Sequence, residues 1–261
     1  NALVNILSKE ACEKLTSAEC PLGGALGGMP MAIKDLANVK GFKTTEGSPL
    51  YSERVARKDD QMVARLRAAG ALFIGKTNTP EFGLGSNTFN PVYGKTKNPY
   101  DLTKTCGGSS GGAAVALATR MLSISDGSDM MGSLRNPAAW NNVYGLRPTW
   151  GLVPPEPSGE IFLSQLSTLG PMARSPKDLA LLLDVQANYF DNKSYVSQSK
   201  SFSNFTAQPR MKGIKIGWLG DWGGTLTFED ELLDLAQNAL NEMSSLGAII
   251  HDLKAPFAMN D

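Results

Sequence analysis

Short apolar runs alternate with stretches of helical period along nearly the whole chain, the pattern of a β-sheet covered by helices. Residues 2–7 (ALVNIL) predict a strand and residues 9–16 a helix. Residues 31–36 (MAIKDL) predict a second strand, which carries Lys34 in an otherwise apolar setting. Asp59 or Asp60 can cap a helix that runs to Ala69 and is ended by Gly70, and residues 71–74 predict a short buried strand. A small-residue helix is expected at 113–120 and a strand at 121–124. A further helix is expected at 176–189, with Pro176 suited to its first turn. A strand at 213–219, a long amphipathic helix at 228–246 and a strand at 248–253 complete the pattern. The polar, Ser/Asn-rich stretch 191–208 reads as a surface loop, and no internal repeat is visible.

Composition narrows the classes. With 261 residues, 42% hydrophobic and 19% charged, the chain can bury a sizeable core. Lys+Arg and Asp+Glu are 25 each, so charge gives no reason to expect nucleic acid or an anionic membrane as partner. No apolar run approaches the roughly 20 residues of a membrane span. Cys12, Cys20 and Cys106 form no CxxC, and with a single histidine no metal site is expected. The thiols read as reduced or buried, which fits a cytoplasmic protein. The chain begins at Asn1 and ends after a strand-like segment, so a fragment is expected.

Three segments carry candidate chemistry. Ser109 and Ser110 lie inside a glycine frame (CGGSSGG), and Ser133 follows 24 residues after Ser109. Glycines let backbone approach a ligand, so the frame can present N–H groups; a flexible connection is the competing reading. Ser133 lies on a turn after a strand, where the amides of Met130, Met131, Gly132 and Ser133 itself are candidate oxyanion donors; a turn-capping serine is the alternative. Serine hydrolysis needs a base, and His251 is remote in sequence. Lys34 is the best candidate, because burial lowers a lysine's proton affinity, although an edge lysine reaching solvent is the commoner case. Asp35 alternates to the opposite face and need not pair with it. Residues 70–77 (GALFIGKT) match the phosphate-binding GxxxxGK[ST] pattern. That loop must follow a strand and open a helix, whereas here the middle residues are themselves the strand. Residues 192–194 and 204–206 are glycosylation-type sequons that carry little without signs of secretion.

CGGSSGG, the later DMMGSLRNPA and the segment PMAIKD stand in the order and spacing of the amidase signature family, which the sequence resembles. GKTNTPE (75–81), YGLRPT (144–149), GPMAR (170–174) and the strand–helix–strand from Gly213 are similar to that family as well. The resemblance covers nearly the whole chain. It implies an α/β fold, three-layer α/β/α around a twisted mixed β-sheet, with residues 1–261 forming its N-terminal portion and the C-terminal part absent. It also implies a Ser–cisSer–Lys triad: Ser133 as nucleophile, Ser109 as bridging serine after a cis peptide bond, and Lys34 as base.

The resemblance further places Gly83 and Gly108 near the substrate entrance, with no cofactor. The family often has two glycines before the nucleophile, whereas Met131 here precedes Gly132, which questions the oxyanion hole. Arg135 is expected to be structural. The activity so implied is hydrolysis of a small-molecule amide, with a homodimer as the expected assembly. Alternatives are the glutaminase (A) subunit of a tRNA-dependent amidotransferase, a non-catalytic binding module, and a nucleotide binder through residues 70–77.

Overall fold

The computed structural model describes residues 1–18, 23–156, 165–187, 201–204, 211–229 and 231–257. The chain forms two compact units, residues 1–205 and 206–261. In the first, β1 (Leu3–Val4), α1 (Lys9–Ala18), β2 (Pro30–Lys34), α2 (Gln61–Ala68) and β3 (Leu72–Thr77) are followed by the hairpin β4 (Phe89–Asn90) and β5 (Gly94–Lys95). Then come α3 (Gly111–Ala118), β6 (Ile124–Asp129), α4 (Arg135–Trp140), β7 (Tyr144–Gly145), β8 (Thr168–Ala173) and α5 (Pro176–Ala187).

Two three-stranded sheets organise this unit. In the order β1-β3-β2, β3 pairs parallel with β2 and antiparallel with β1; the order β6-β8-β7 is antiparallel throughout. β2 and β6 are neighbours, linked through side chains. The Lys34 N–H donates to Asp126 Oδ1 at 3.0 Å, and Ser125 Oγ donates to the Ala32 carbonyl at 3.4 Å.

Successive residues of a strand face opposite ways, and β2 is buried on both sides. Met31 and Ile33 pack with Met62, Val63 and Leu66 of α2, Phe73 of β3 and Leu182 and Leu183 of α5. Ala32 packs in a second cluster with Ala113, Ala114, Ala116 and Leu117 of α3, together with Leu134 and Met172. Helices therefore cover both faces, giving the expected α/β/α layering.

The glycine-led, largely small-residue sequence of α3 has a steric cause. A Cβ on Gly112 would come within 2.2 Å of the Asn78 backbone nitrogen and 2.6 Å of the Ala2 carbonyl oxygen. Only glycine lets the first turn press so closely on the β1–β3 side, and Gly111–Leu117 are all buried.

Two expectations are corrected. The strand placed at 121–124 lies instead at Ile124–Asp129, with Met121 47% exposed. Apolar residues alone marked the wrong end, because Ser125, Asp126 and Asp129 are buried by hydrogen bonding rather than by hydrophobicity. β8 also exists where only a motif was noted. The GxxxxGKT segment is strand β3 itself, and a 3₁₀ turn at Glu81–Gly83, not a helix, comes after it. The helix at 176 extends to Ala187 within the described residues, and most of 191–208, including residues 192–194, lies outside them.

The second unit is a β-α-β element: β9 (Lys215–Trp218), α6 (Leu232–Ser245) and β10 (Ile249–Asp252), with β9 and β10 parallel and Ile249 opposite Lys215. His251 lies on β10. Among the described residues, no helix is long and apolar enough to cross a membrane.

Candidate active site

Lys34 ends β2 with 1% of its surface exposed. Its Nζ donates to three hydroxyls: Ser109 Oγ at 2.7 Å, Ser110 Oγ at 2.8 Å and Ser128 Oγ at 2.9 Å. Taking an ammonium out of water disfavours the charged form, and that desolvation brings Lys34 down to about 7, against the opposing pull of Asp126 and Asp129. Much of it is therefore neutral near physiological pH. A neutral amine has a lone pair, so a hydroxyl proton can be shared in the opposite direction.

The three hydroxyls are not equivalent. Ser110 Oγ donates to the Ser128 carbonyl and accepts from the Ser128 N–H, both at 3.3 Å, which commits its proton. Ser109 Oγ has no second acceptor among the described residues and can give its proton to Lys34. The Gly108–Ser109 peptide is cis.

Ser133 is held beside this pair by its main chain: the Ser110 N–H donates to the Ser133 carbonyl at 3.2 Å. The turn leading to it is organised by Asp129. That carboxylate accepts from the Gly132 N–H at 2.8 Å, the Leu134 N–H at 3.2 Å, and Arg135 Nε and Nη2 at 3.0 and 3.1 Å. Arg147 Nε stands 3.4 Å away. Burial alone would raise the Asp129 carboxyl, but these donors hold it at about 2. Arg135 thus binds the turn rather than the open site.

Of the expected oxyanion donors, the Gly132 N–H is engaged by Asp129, and Met130 and Met131 are exposed at 45% and 81%. The conformation that needs glycine falls at Gly132, with φ of 113°; Met131 is not among the residues with positive φ. A methionine before Gly132 therefore imposes no backbone strain.

Gly83 and Gly108 are close-packing positions. A Cβ on Gly83 would meet Leu36 Cδ1 at 2.6 Å, and one on Gly108 would meet the Asn87 nitrogen at 2.9 Å. A cavity of about 420 Å³ opens against Lys34, Asp126 and Ser128, with Leu36, Met62 and Leu169 among its apolar walls; neither glycine lines it. Ser128, Asp126 and Asp129 were not singled out from sequence as site residues. The available signal was a strand-length run, ISDGSD, too polar for a core strand unless its side chains have partners.

The remaining candidates lie apart from this network. Cys106 is fully buried and free, its thiol pushed up to about 11 by burial; Cys12 is part-buried on α1, and Cys20 lies outside the described residues. No group of three or more His, Cys, Asp or Glu among the described residues could hold a metal ion.

The Amidase family model matches residues 1–258, and the chain belongs to that family, the amidase signature enzymes. It is 36% identical over 255 residues to the A subunit of the glutamyl-tRNA(Gln) amidotransferase of Saccharolobus solfataricus, covering 97% of this chain and 52% of the relative. Among solved structures, a bacterial aryl acylamidase of the amidase signature family matches with TM-score 0.86 and 30% identity, over 99% of this chain and 55% of its own. The 6-aminohexanoate cyclic dimer hydrolase complexed with substrate matches with TM-score 0.84 and 29% identity, over 97% and 53%. The chain spans about half the length of the proteins it matches.

Proposed function

We propose that the protein hydrolyses a carboxylic acid amide to the acid and ammonia or an amine. Neutral Lys34 takes a proton from Ser109 as Ser109 takes one from Ser133. Ser133 Oγ then bonds to the amide carbonyl carbon, and the carbonyl electron pair moves to oxygen. Collapse of that intermediate breaks the C–N bond while the relay returns the proton to the departing nitrogen, since an amide anion is a very poor leaving group. Water attacks the acyl-enzyme by the same relay and frees Ser133. Main-chain N–H groups of the turn at Met130 to Ser133 are the oxyanion donors in this reading, and Gly132 takes part only by exchanging Asp129 for the substrate oxygen.

The observation that carries the proposal is the buried Lys34 bonded to Ser109 Oγ at 2.7 Å, with pKa about 7, beside a main-chain-anchored Ser133. The test is reaction of the whole protein with a fluorophosphonate, followed by peptide mapping. Ser133 is expected to carry the label and Ser133→Ala to abolish it. An unlabelled Ser133 in a folded sample, with a control hydrolase labelled in parallel, would end the reading. Release of ammonia or amine from a panel of amides then identifies the substrate.

A second reading is favoured by the name of the relative in Saccharolobus solfataricus: the same site working as the glutaminase component of a tRNA-dependent amidotransferase. It predicts ammonia release from glutamine that rises when partner proteins of such a complex are added. An amidase acting alone shows no such dependence.

A further inference from the structure

We propose that Asp126 is the positioning residue of the Lys34 base, fixing its main chain and setting the proton affinity of its amine. The inference rests on Lys34 being the base. β3 occupies one edge of β2, so the other edge must find partners elsewhere. The Lys34 N–H is met there by Asp126 Oδ1 at 3.0 Å, reached across 92 residues of sequence. Both residues are 1% exposed. A carboxylate in that place ties the base to β6, the same strand that supplies the Ser128 hydroxyl to Nζ.

The charges around the lysine single Asp126 out. From β6, Lys34 feels Asp126 and Asp129. Asp129 is engaged by Arg135 and Arg147, whereas Asp126 has no arginine partner among the described residues. From β3, Lys76 acts on Asp126 as well, but Lys76 is paired with Asp35 at 3.3 Å. Asp126 is thus the least neutralised carboxylate beside the base. Burial raises its own carboxyl to about 6, so it is mostly ionised at pH 7 and supports the protonated form of Lys34.

Asp126→Asn keeps an acceptor for the Lys34 N–H and removes the charge, while Asp126→Ala removes both. The readout is the rate of fluorophosphonate labelling at Ser133 against pH, in the whole protein, with folding checked by circular dichroism. Asp126→Asn is expected to move the midpoint of the acid limb down by about one pH unit, with the plateau within a few-fold of wild type. Asp126→Ala is expected to lower the maximal labelling rate about tenfold or more without weakening reagent binding. A wild-type midpoint in Asp126→Asn overturns the proposal. So does failure of both variants to fold, since Asp126 would then be a general determinant of the fold. Lys34→Met separates this from the underlying reading. If it labels at the wild-type rate, the base assignment fails; if it is inert while Asp126→Asn keeps the wild-type midpoint, only the role of Asp126 fails.

Discussion

Two lysines on adjoining strands, both essentially without solvent contact, meet opposite surroundings. Lys34 of β2 lies in register with Thr77, and Lys76 of β3 with Ile33. Lys76 Nζ is 3.3 Å from Asp35 Oδ1 and donates to the Ala37 carbonyl at 2.7 Å and to Thr44 Oγ1 at 3.2 Å. Lys34 Nζ meets three hydroxyls and, among the described residues, forms no ion pair. Burial lowers the proton affinity of both, and in Lys76 the adjacent Asp35 carboxylate opposes it. A buried amine against a carboxylate is a structural ion pair. In the proposed function, the same amine among hydroxyls is a base with a relay attached.

The largest expected effect breaks the chemistry alone. Lys34→Met should lower amide turnover about 10³-fold while leaving a folded protein, measured by steady-state rates and a melting curve. A loss of tenfold or less would erase the distinction between the two lysines. Lys76→Met should do the reverse. Leaving Asp35 buried without its partner costs about 3–5 kcal/mol, read from urea unfolding, while turnover per folded molecule stays within a few-fold. Adding Asp35→Asn to that variant should recover much of the stability.

The pH dependence sharpens the contrast. Turnover should rise with pH through about 7 as Lys34 deprotonates. Stability should rise too, because the amine is lowered from 10.5 in the unfolded chain to about 7 in the folded one. Between those values the unfolded state holds the extra proton, so the penalty is complete below pH 7 and gone above 10.5. Urea titrations at about pH 6.5, 8 and 9.5 should show this slope in wild type and a shallower one in Lys34→Met, the remainder coming from Lys76, which burial lowers as well. The smallest effect belongs to an exposed lysine. Lys43, 2.8 Å from Glu53 at the surface, should cost about 0.5 kcal/mol or less when replaced by alanine in the same urea assay.

The sequence made much of this readable where polar residues stood out against apolar ones. Lys34 inside MPMAIKD and the glycine frame before α3 were visible for that reason. The alternation of strands and helices, and the rejection of a phosphate loop at 70–77, followed from period and context. The polar residues of β6 were not legible as strand. Ser125, Asp126, Ser128 and Asp129 look like loop residues in a linear string, and only the arrival of Ala32, Lys34, Ser110, Arg135 and Arg147 from distant positions turns them into a buried strand. The role of Asp129 as collector of the turn's amides was hidden likewise, because donors at 132 and 134 acquire direction only once Gly132 takes its positive φ.

The dry setting of Lys34 also acts as a safeguard. The neutral amine that the proposed mechanism needs exists only as long as the walls around Lys34 keep it desolvated. With a pKa of about 7, half of the lysines are neutral at pH 7; let water in, and return toward 10.5 leaves roughly one in three thousand. On the proposed mechanism, a nascent chain, a partly opened molecule or a damaged one would carry the same serines yet be chemically silent. Competence is thereby tied to correct burial, and loss of activity on warming should precede the loss of helix and sheet.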